Sequence, residues 1–193
     1  MIVKRDFIYT PKGVSRPLHI WLPEGYDHTD ERYPVMYFFD GHNLFTNEDA
    51  TYGKSWGMKE YLEKSRLPLI LVGVECNPEG DNRMSEYAPF DIVWKGKTLI
   101  EGRGKLTMDF FVNELKPRID REYRALPDRE HTLIAGSSMG GLMSLYAVTA
   151  YNGTFSRAAA LSPSLWAARG HEAELLKANP LASPTRIYMD MGT

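Results

Sequence analysis

The feature that most constrains this chain is a short apolar run that ends in a glycine-flanked serine and passes directly into a helical segment. It reads His131-Thr132-Leu133-Ile134-Ala135-Gly136-Ser137-Ser138-Met139-Gly140-Gly141, followed by LMSLYAVTAY at 142–151. By composition alone, G-x-S-x-G arises by chance in roughly 6% of chains this long. The flanking strand and amphipathic helix therefore carry the argument, because strand, tight turn and helix are the context in which the motif has a mechanical meaning. Gly136 and Gly140 leave room for a strained corner that a side chain would block. Such a corner lifts the Ser138 hydroxyl above the strand ends. The free N–H groups at the start of the next helix suit a developing oxyanion. Ser138 reads as a nucleophile.

Composition narrows the setting. The 193 residues are 43% hydrophobic, enough for a sizeable core in one domain. A net charge of −2, with both signs mixed along the chain, provides no basic tract for a nucleic acid or an anionic membrane. Cys76 is the single cysteine, so no internal disulfide or cysteine metal cluster is expected, and a reducing cytoplasm is the expected compartment. The start, MIVKRDFIYT, is charged where a signal peptide would be apolar, and no apolar run is long enough to span a bilayer. Carboxylates and histidines show no metal-ligand spacing, and no cofactor is expected.

Along the chain, 2–9 and 16–22 read as strands of a hairpin turned by Pro11-Lys12-Gly13. The runs 34–39 (PVMYFF) and 68–75 (PLILVGVE) read as buried parallel strands, with a helix at 56–64 between them. A long loop at 76–104 is expected to cap or line a site. Residues 106–123 have helical spacing, and Pro117 is expected to kink that helix or split it. Strands at 157–161 and 186–191 follow, with a short helix at 171–179. Strands alternating with helices predict an α/β, mostly parallel, doubly wound sheet. Ligands in such sheets bind beyond the carboxyl ends of the strands. Ser138, the Asp40–Asn43 loop, the loop after Glu75 and the 162–166 segment should converge there.

Four motifs carry a resemblance to a known family: FFDGHNLF at 38–45, NRMSEYAPF at 82–90, GSSMGG at 136–141 and LSPSLW at 161–166. In order and content they resemble the putative esterase family of α/β-hydrolases, which contains enterochelin esterases, S-formylglutathione hydrolase, feruloyl esterases and the mycolyltransferase antigens. The resemblance implies an α/β-hydrolase fold. It also implies an oxyanion hole made by the backbone N–H of His42, the residue after Asp40-Gly41, together with that of Met139. Asp40 is expected either to shape the oxyanion loop with Gly41 or to be an ordinary turn aspartate. Arg83 and Tyr87 are expected either to meet an acyl or acid group of the substrate or to anchor the long loop. Trp56 and Trp166 are candidates for the pocket wall or for the core, and Met139 is expected to use its side chain as filler.

A serine needs a general base, itself oriented by a carboxylate. In α/β-hydrolases the order is serine, acid, histidine, and after Ser138 only His171 remains. His131 begins the nucleophile strand, roughly 23 Å from Ser138 at about 3.3 Å per residue. His19 is expected to be structural and His28 solvated, while His42 could line the pocket or act as a displaced base. Asp190 falls inside the last expected strand and is a poor triad acid. The resemblance implies an acid and a histidine beyond residue 193, so a chain truncated on its C-terminal side is the expectation. The expected activity is a serine carboxylic-ester hydrolase acting on a small-molecule ester such as an acylated sugar, a siderophore or a thioester. Acyl transfer and a catalytically inactive binding module are the alternatives, and a homo-oligomer is compatible with the sequence.

Overall fold

The computed structural model describes residues 1–171, 173–174, 181 and 184–191. The apolar runs become strands and the 3.6-residue patterns become helices. In chain order these are β1 (Ile2–Tyr9), β2 (Val14–Trp21), β3 (Val35–Phe39), α1 (Met58–Ser65), β4 (Ile70–Val74) and α2 (Asn82–Glu86). There follow β5 (Ile92–Trp94), β6 (Lys97–Ile100), α3 (Gly104–Phe110), α4 (Lys116–Glu122), β7 (Thr132–Ser137) and α5 (Met139–Ala150). The last two are β8 (Arg157–Leu161) and β9 (Arg186–Met189). Most of the helix expected at 171–179 lies outside the described residues.

Among the described residues, seven strands form one sheet in the order β1-β2-β4-β3-β7-β8-β9. β1 and β2 form the antiparallel hairpin, running from Ile2↔Trp21 to Tyr9↔Val14, and β2 pairs antiparallel with β4. From β4 to β9 every pairing is parallel. Side-chain alternation sorts β3 between two layers. Tyr37 and Phe39 pack with Phe110, Phe111 and Leu142 on one face, whereas Phe38 packs with Leu44, Leu62 and Leu71 on the other. Helices α3 to α5 thus cover one face and α1 the other, as expected of a doubly wound sheet. Chain order reverses at β3, which places the ends of β3 and β7 side by side.

Three elements differ from the sequence expectation. The 76–104 segment is not a plain loop: it holds α2 and the β5–β6 hairpin. Lys95 (φ 49°) and Gly96 (φ 73°) both turn left-handed there, the geometry of a two-residue hairpin turn. The helix around Pro117 does not break. It runs on through a π turn at Phe111–Leu115, and this wider spacing accommodates the missing proline N–H and the crowding of its ring. Helix α5 is buried nearly all round rather than amphipathic, because the sheet, α3 and the segment after β8 enclose it.

The 76–104 segment is tied to the hairpin by an enclosed ion pair. Arg16 donates to both Glu86 carboxylate oxygens at 2.7 and 2.9 Å and to the Glu75 carbonyl at 3.0 Å. Glu86 is fully buried, and Tyr9 lies beneath the guanidinium at 4.5 Å. Removing one partner from such a pair strands the other charge. Glu86→Ala is therefore expected to lower stability in urea unfolding by about 3–5 kcal/mol. Glu101→Ala, at an exposed pair on the same segment, should change it by less than about 0.5 kcal/mol.

Candidate active site

The corner at Ser138 has the expected strain. Its φ of 58° and ψ of −117° lie outside the regions that L-residues populate. Tight contacts at two glycines hold it there. A Cβ on Gly136 would lie 2.5 Å from the Gly140 carbonyl, and one on Gly140 would lie 2.9 Å from Phe39 Cβ. The Ser138 N–H donates to the Leu161 carbonyl at 2.9 Å, and the Ser138 carbonyl accepts from the Ser164 N–H at 3.0 Å. The side chain emerges exposed, and its Oγ lies 3.0 Å from Ser164 Oγ. Met139 opens α5, so its N–H belongs to the first turn, which has no intrahelical acceptor. The Met139 side chain is buried as filler.

Facing it is the loop after β3. Asp40 is left-handed (φ 58°, ψ 47°), and one tight turn follows, closed by Asn43 N–H to the Asp40 carbonyl at 2.9 Å. Only glycine fits at 41, because a Cβ there would lie 2.3 Å from the Gly73 carbonyl carbon on β4. A Cβ on Gly140 would be 3.6 Å from Asp40 Oδ2, so this loop lies directly against the start of α5. An acidic group there also complements the helix dipole. Asp40 is 2% exposed and is held in a two-pronged pair by Arg83, Nε and Nη2 each donating at 2.7 Å. The Asp40 N–H donates to Tyr87 Oη at 3.2 Å. The pairing with Asp40 keeps Arg83 firmly protonated, and burial pushes the Tyr87 phenol well above its ordinary range.

Together these walls bound a cleft of about 450 Å³ whose lining includes His42, Trp56, Arg83, Met84, Ser137 and Ser138. The size suits a small-molecule ligand. His42 is held below the usual imidazole range mainly by burial, partly opposed by Asp40 and Glu75, and its Nε2 bonds Thr51 Oγ1 at 3.0 Å. Asp40, His42 and Cys76 each offer a ligand atom within 4.8 Å of the others. Both Asp40 oxygens are nevertheless occupied by Arg83, and burial raises the Cys76 thiol to about 12, a poor donor set for a cation.

The structure thus brings Ser138, Met139, Asp40, Gly41, His42 and Arg83 to one place. Two expectations are corrected. Tyr87 is 2% exposed and packs edge-on against Phe39 at 5.0 Å, so it supports the Asp40 loop from beneath and has no surface for substrate. Trp166 is 60% exposed and lies outside the residues bounding the cleft, where Trp56 stands instead, tilted against Phe38. Sequence reasoning passed over Thr51, Tyr52 and Lys54, which also line the cleft from the loop before α1 and carry no motif. It quoted Ser164 within LSPSLW without assigning it; the signal available was its position at a strand's carboxyl end.

Among the described residues, no imidazole bonds Ser138. His171 stacks on Phe90 at 4.4 Å and pairs with Glu174, while buried His19 pairs with Glu75 at 2.7 Å. His131 pairs with Asp128 at the opposite end of β7, and His28 is exposed. Asp190 lies just past β9 rather than within a strand. There it accepts from the Ser162 N–H at 2.7 Å and from Ser162 Oγ at 3.0 Å.

A doubly wound, mostly parallel sheet with a strained serine between β7 and α5 defines an α/β-hydrolase. The chain belongs to the family described as Putative esterase, whose model matches residues 13–193. It is 27% identical over 190 residues to the uncharacterized protein YbbA of Bacillus subtilis, covering 94% of this chain and 70% of that one. A solved IroE-like serine hydrolase from Shewanella oneidensis is 26% identical, with a TM-score of 0.77; the match covers 98% of this chain but 60% of that one. The BES protein of Bacillus cereus shares the fold at a TM-score of 0.72 and 22% identity, covering 100% of this chain and 74% of that one.

The Asp40–Arg83 pair holds the loop that carries His42. Arg83→Met is expected to lower stability by about 2–4 kcal/mol in urea unfolding. That is below the figure for a fully enclosed pair, because a third of the Arg83 side chain is in solvent. Arg83→Lys should recover only part of the loss, since an ammonium cannot reproduce the two-pronged geometry.

Proposed function

We propose that the protein is a serine carboxylic-ester hydrolase that works through an acyl-enzyme on a small or medium-sized ester. Ser138 Oγ attacks the ester carbonyl, its proton passes to an imidazole base, and the carbonyl π pair moves onto oxygen. The N–H groups of His42 and Met139 receive that oxyanion. The alcohol leaves with the proton from the base, and water then releases the acid from Ser138 by the same route. The observation that carries this reading is the exposed hydroxyl of a strained Ser138 at the mouth of the cleft, with the Asp40–His42 turn packed against the start of α5. The similarity to the Shewanella serine hydrolase supports it.

No helix among the described residues is long and apolar enough to cross a membrane. The reading assigns the protein to the cytoplasm on its single free, buried cysteine. The base and its acid are assigned to the portion of the family domain that these 193 residues do not span, as the resemblance implies. Acylated sugars, siderophore esters and thioesters all remain within the proposed substrate class. A second reading, a hydrolase fold retained as a binding module, draws on the Ser138–Ser164 contact, in which the partner of the nucleophile is a hydroxyl.

In the full-length protein, a fluorophosphonate probe is expected to label the peptide containing Ser138, and Ser138→Ala should reduce hydrolysis of short p-nitrophenyl esters to near background. An unlabelled Ser138, or an alanine variant with full turnover, would sink the esterase reading. The first of these results would favour the binding module.

A further inference from the structure

The end of β8 and the segment after it meet Ser138 through three hydrogen bonds, and one of them has a chemical consequence. The Leu161 carbonyl takes the Ser138 N–H, the Ser164 N–H takes the Ser138 carbonyl, and Ser164 Oγ lies 3.0 Å from Ser138 Oγ. The two hydroxyls carry one proton each, and their surroundings decide which donates. Ser138 is exposed, so its proton can reach solvent or a base, whereas Ser164 is 7% exposed. Among the described residues, the one hydrogen bond of Ser164 Oγ is to Ser138 Oγ. Either hydroxyl could donate by geometry, but a buried hydroxyl proton without an acceptor is costly, which favours Ser164 as the donor to Ser138 Oγ.

The position is well fixed. Ser162 is left-handed (φ 43°) and is held by Asp190 through both its N–H and its hydroxyl. Gly141 lets Pro163 approach so closely that a Cβ there would lie 3.1 Å from Pro163 Cα. Ser164 then opens the turn Leu165–Ala168, its carbonyl accepting from the Ala167 N–H at 3.0 Å.

We propose that Ser164 is a second catalytic hydroxyl, a donor that stabilises negative charge on Ser138 Oγ. This rests on Ser138 being the nucleophile. In acylation, the Ser138 proton passes to the imidazole base as the Oγ–C bond forms, and Ser164 keeps its own proton while donating to Oγ. In deacylation, Oγ is the leaving group. The electron pair of the Oγ–C bond returns to Oγ, which is reprotonated by the base, and the Ser164 donor supports the charge in between. A hydrogen bond to a developing anion is stronger than one to a neutral hydroxyl, so it favours the transition state over the ground state. It also holds Oγ in one rotamer.

The test uses the full-length protein, with p-nitrophenyl esters for kcat and KM and a fluorophosphonate for the rate of labelling at Ser138. Ser164→Ala, shown by urea unfolding to be folded, is expected to lose about ten- to a hundredfold in kcat and in labelling rate with KM unchanged. Ser164→Thr, which keeps a hydroxyl at the same reach, should recover most of that loss. Labelling of Ser164→Ala within about twofold of wild type would overturn the proposal, as would equal losses in the alanine and threonine variants, which would mark a packing role. A wild-type protein that does not label at all sinks the nucleophile assignment itself, before Ser164 is at issue.

Discussion

The geometry of this site depends on close packing at three glycines, two against backbone and one against the Phe39 side chain. Gly136 lies under the Gly140 carbonyl, Gly140 lies against Phe39, and Gly41 lies on the carbonyl of Gly73. Any Cβ at these points would come within 3.0 Å of a neighbour, so the contacts cannot be made by another residue without moving a strand, a helix or a loop. They place the β7–α5 corner, the loop after β3 and the end of β4 at fixed separations. The proposed attack by Ser138 would need that fixity, because a loose site spends transition-state interaction on reorganisation.

Charge is arranged to protect this geometry. Two enclosed carboxylates, Asp40 in the cleft lining and Glu86 at the end of α2, each meet one arginine through two hydrogen bonds. Both pairs reach into the 76–104 segment, one from the loop after β3 and one from the N-terminal hairpin. Each leaves little carboxylate capacity unsatisfied, which is the condition under which a buried ion pair is tolerated. The segment therefore behaves as a brace between the sheet edge and the site, and its short helix α2 presents Arg83 and Glu86 from one turn. Tyr87, next along, meets the same loop from below.

The sheet, its hairpin and the Ser138 corner were legible because period-two alternation, continuous apolar runs and G-x-S-x-G are local signals. The hairpin β5–β6 was also legible in principle: IVW and KTLI flank Lys95-Gly96, a two-residue turn with left-handed geometry at both positions. It was hidden inside a segment read as a loop because its strands are short and face solvent. The π turn before Pro117 was not legible, since a proline in a helix has several ways to be accommodated and packing selects among them. That Trp56 and not Trp166 lines the cleft has the same origin, because neither tryptophan's burial is encoded in its immediate neighbours.

The sequence by itself determined the order along the chain of the strands of the main sheet, the serine at a tight corner and the family to which the chain belongs, since each rests on motifs made of residues adjacent in the chain. Only the tertiary structure decided that Arg83 serves Asp40, that Tyr87 supports rather than contacts, and that Ser164 faces Ser138. The physical reason is that those contacts join segments separated by 43, 47 and 26 residues along the chain. Their existence depends on how the sheet orders its strands, and nothing local to either partner specifies it.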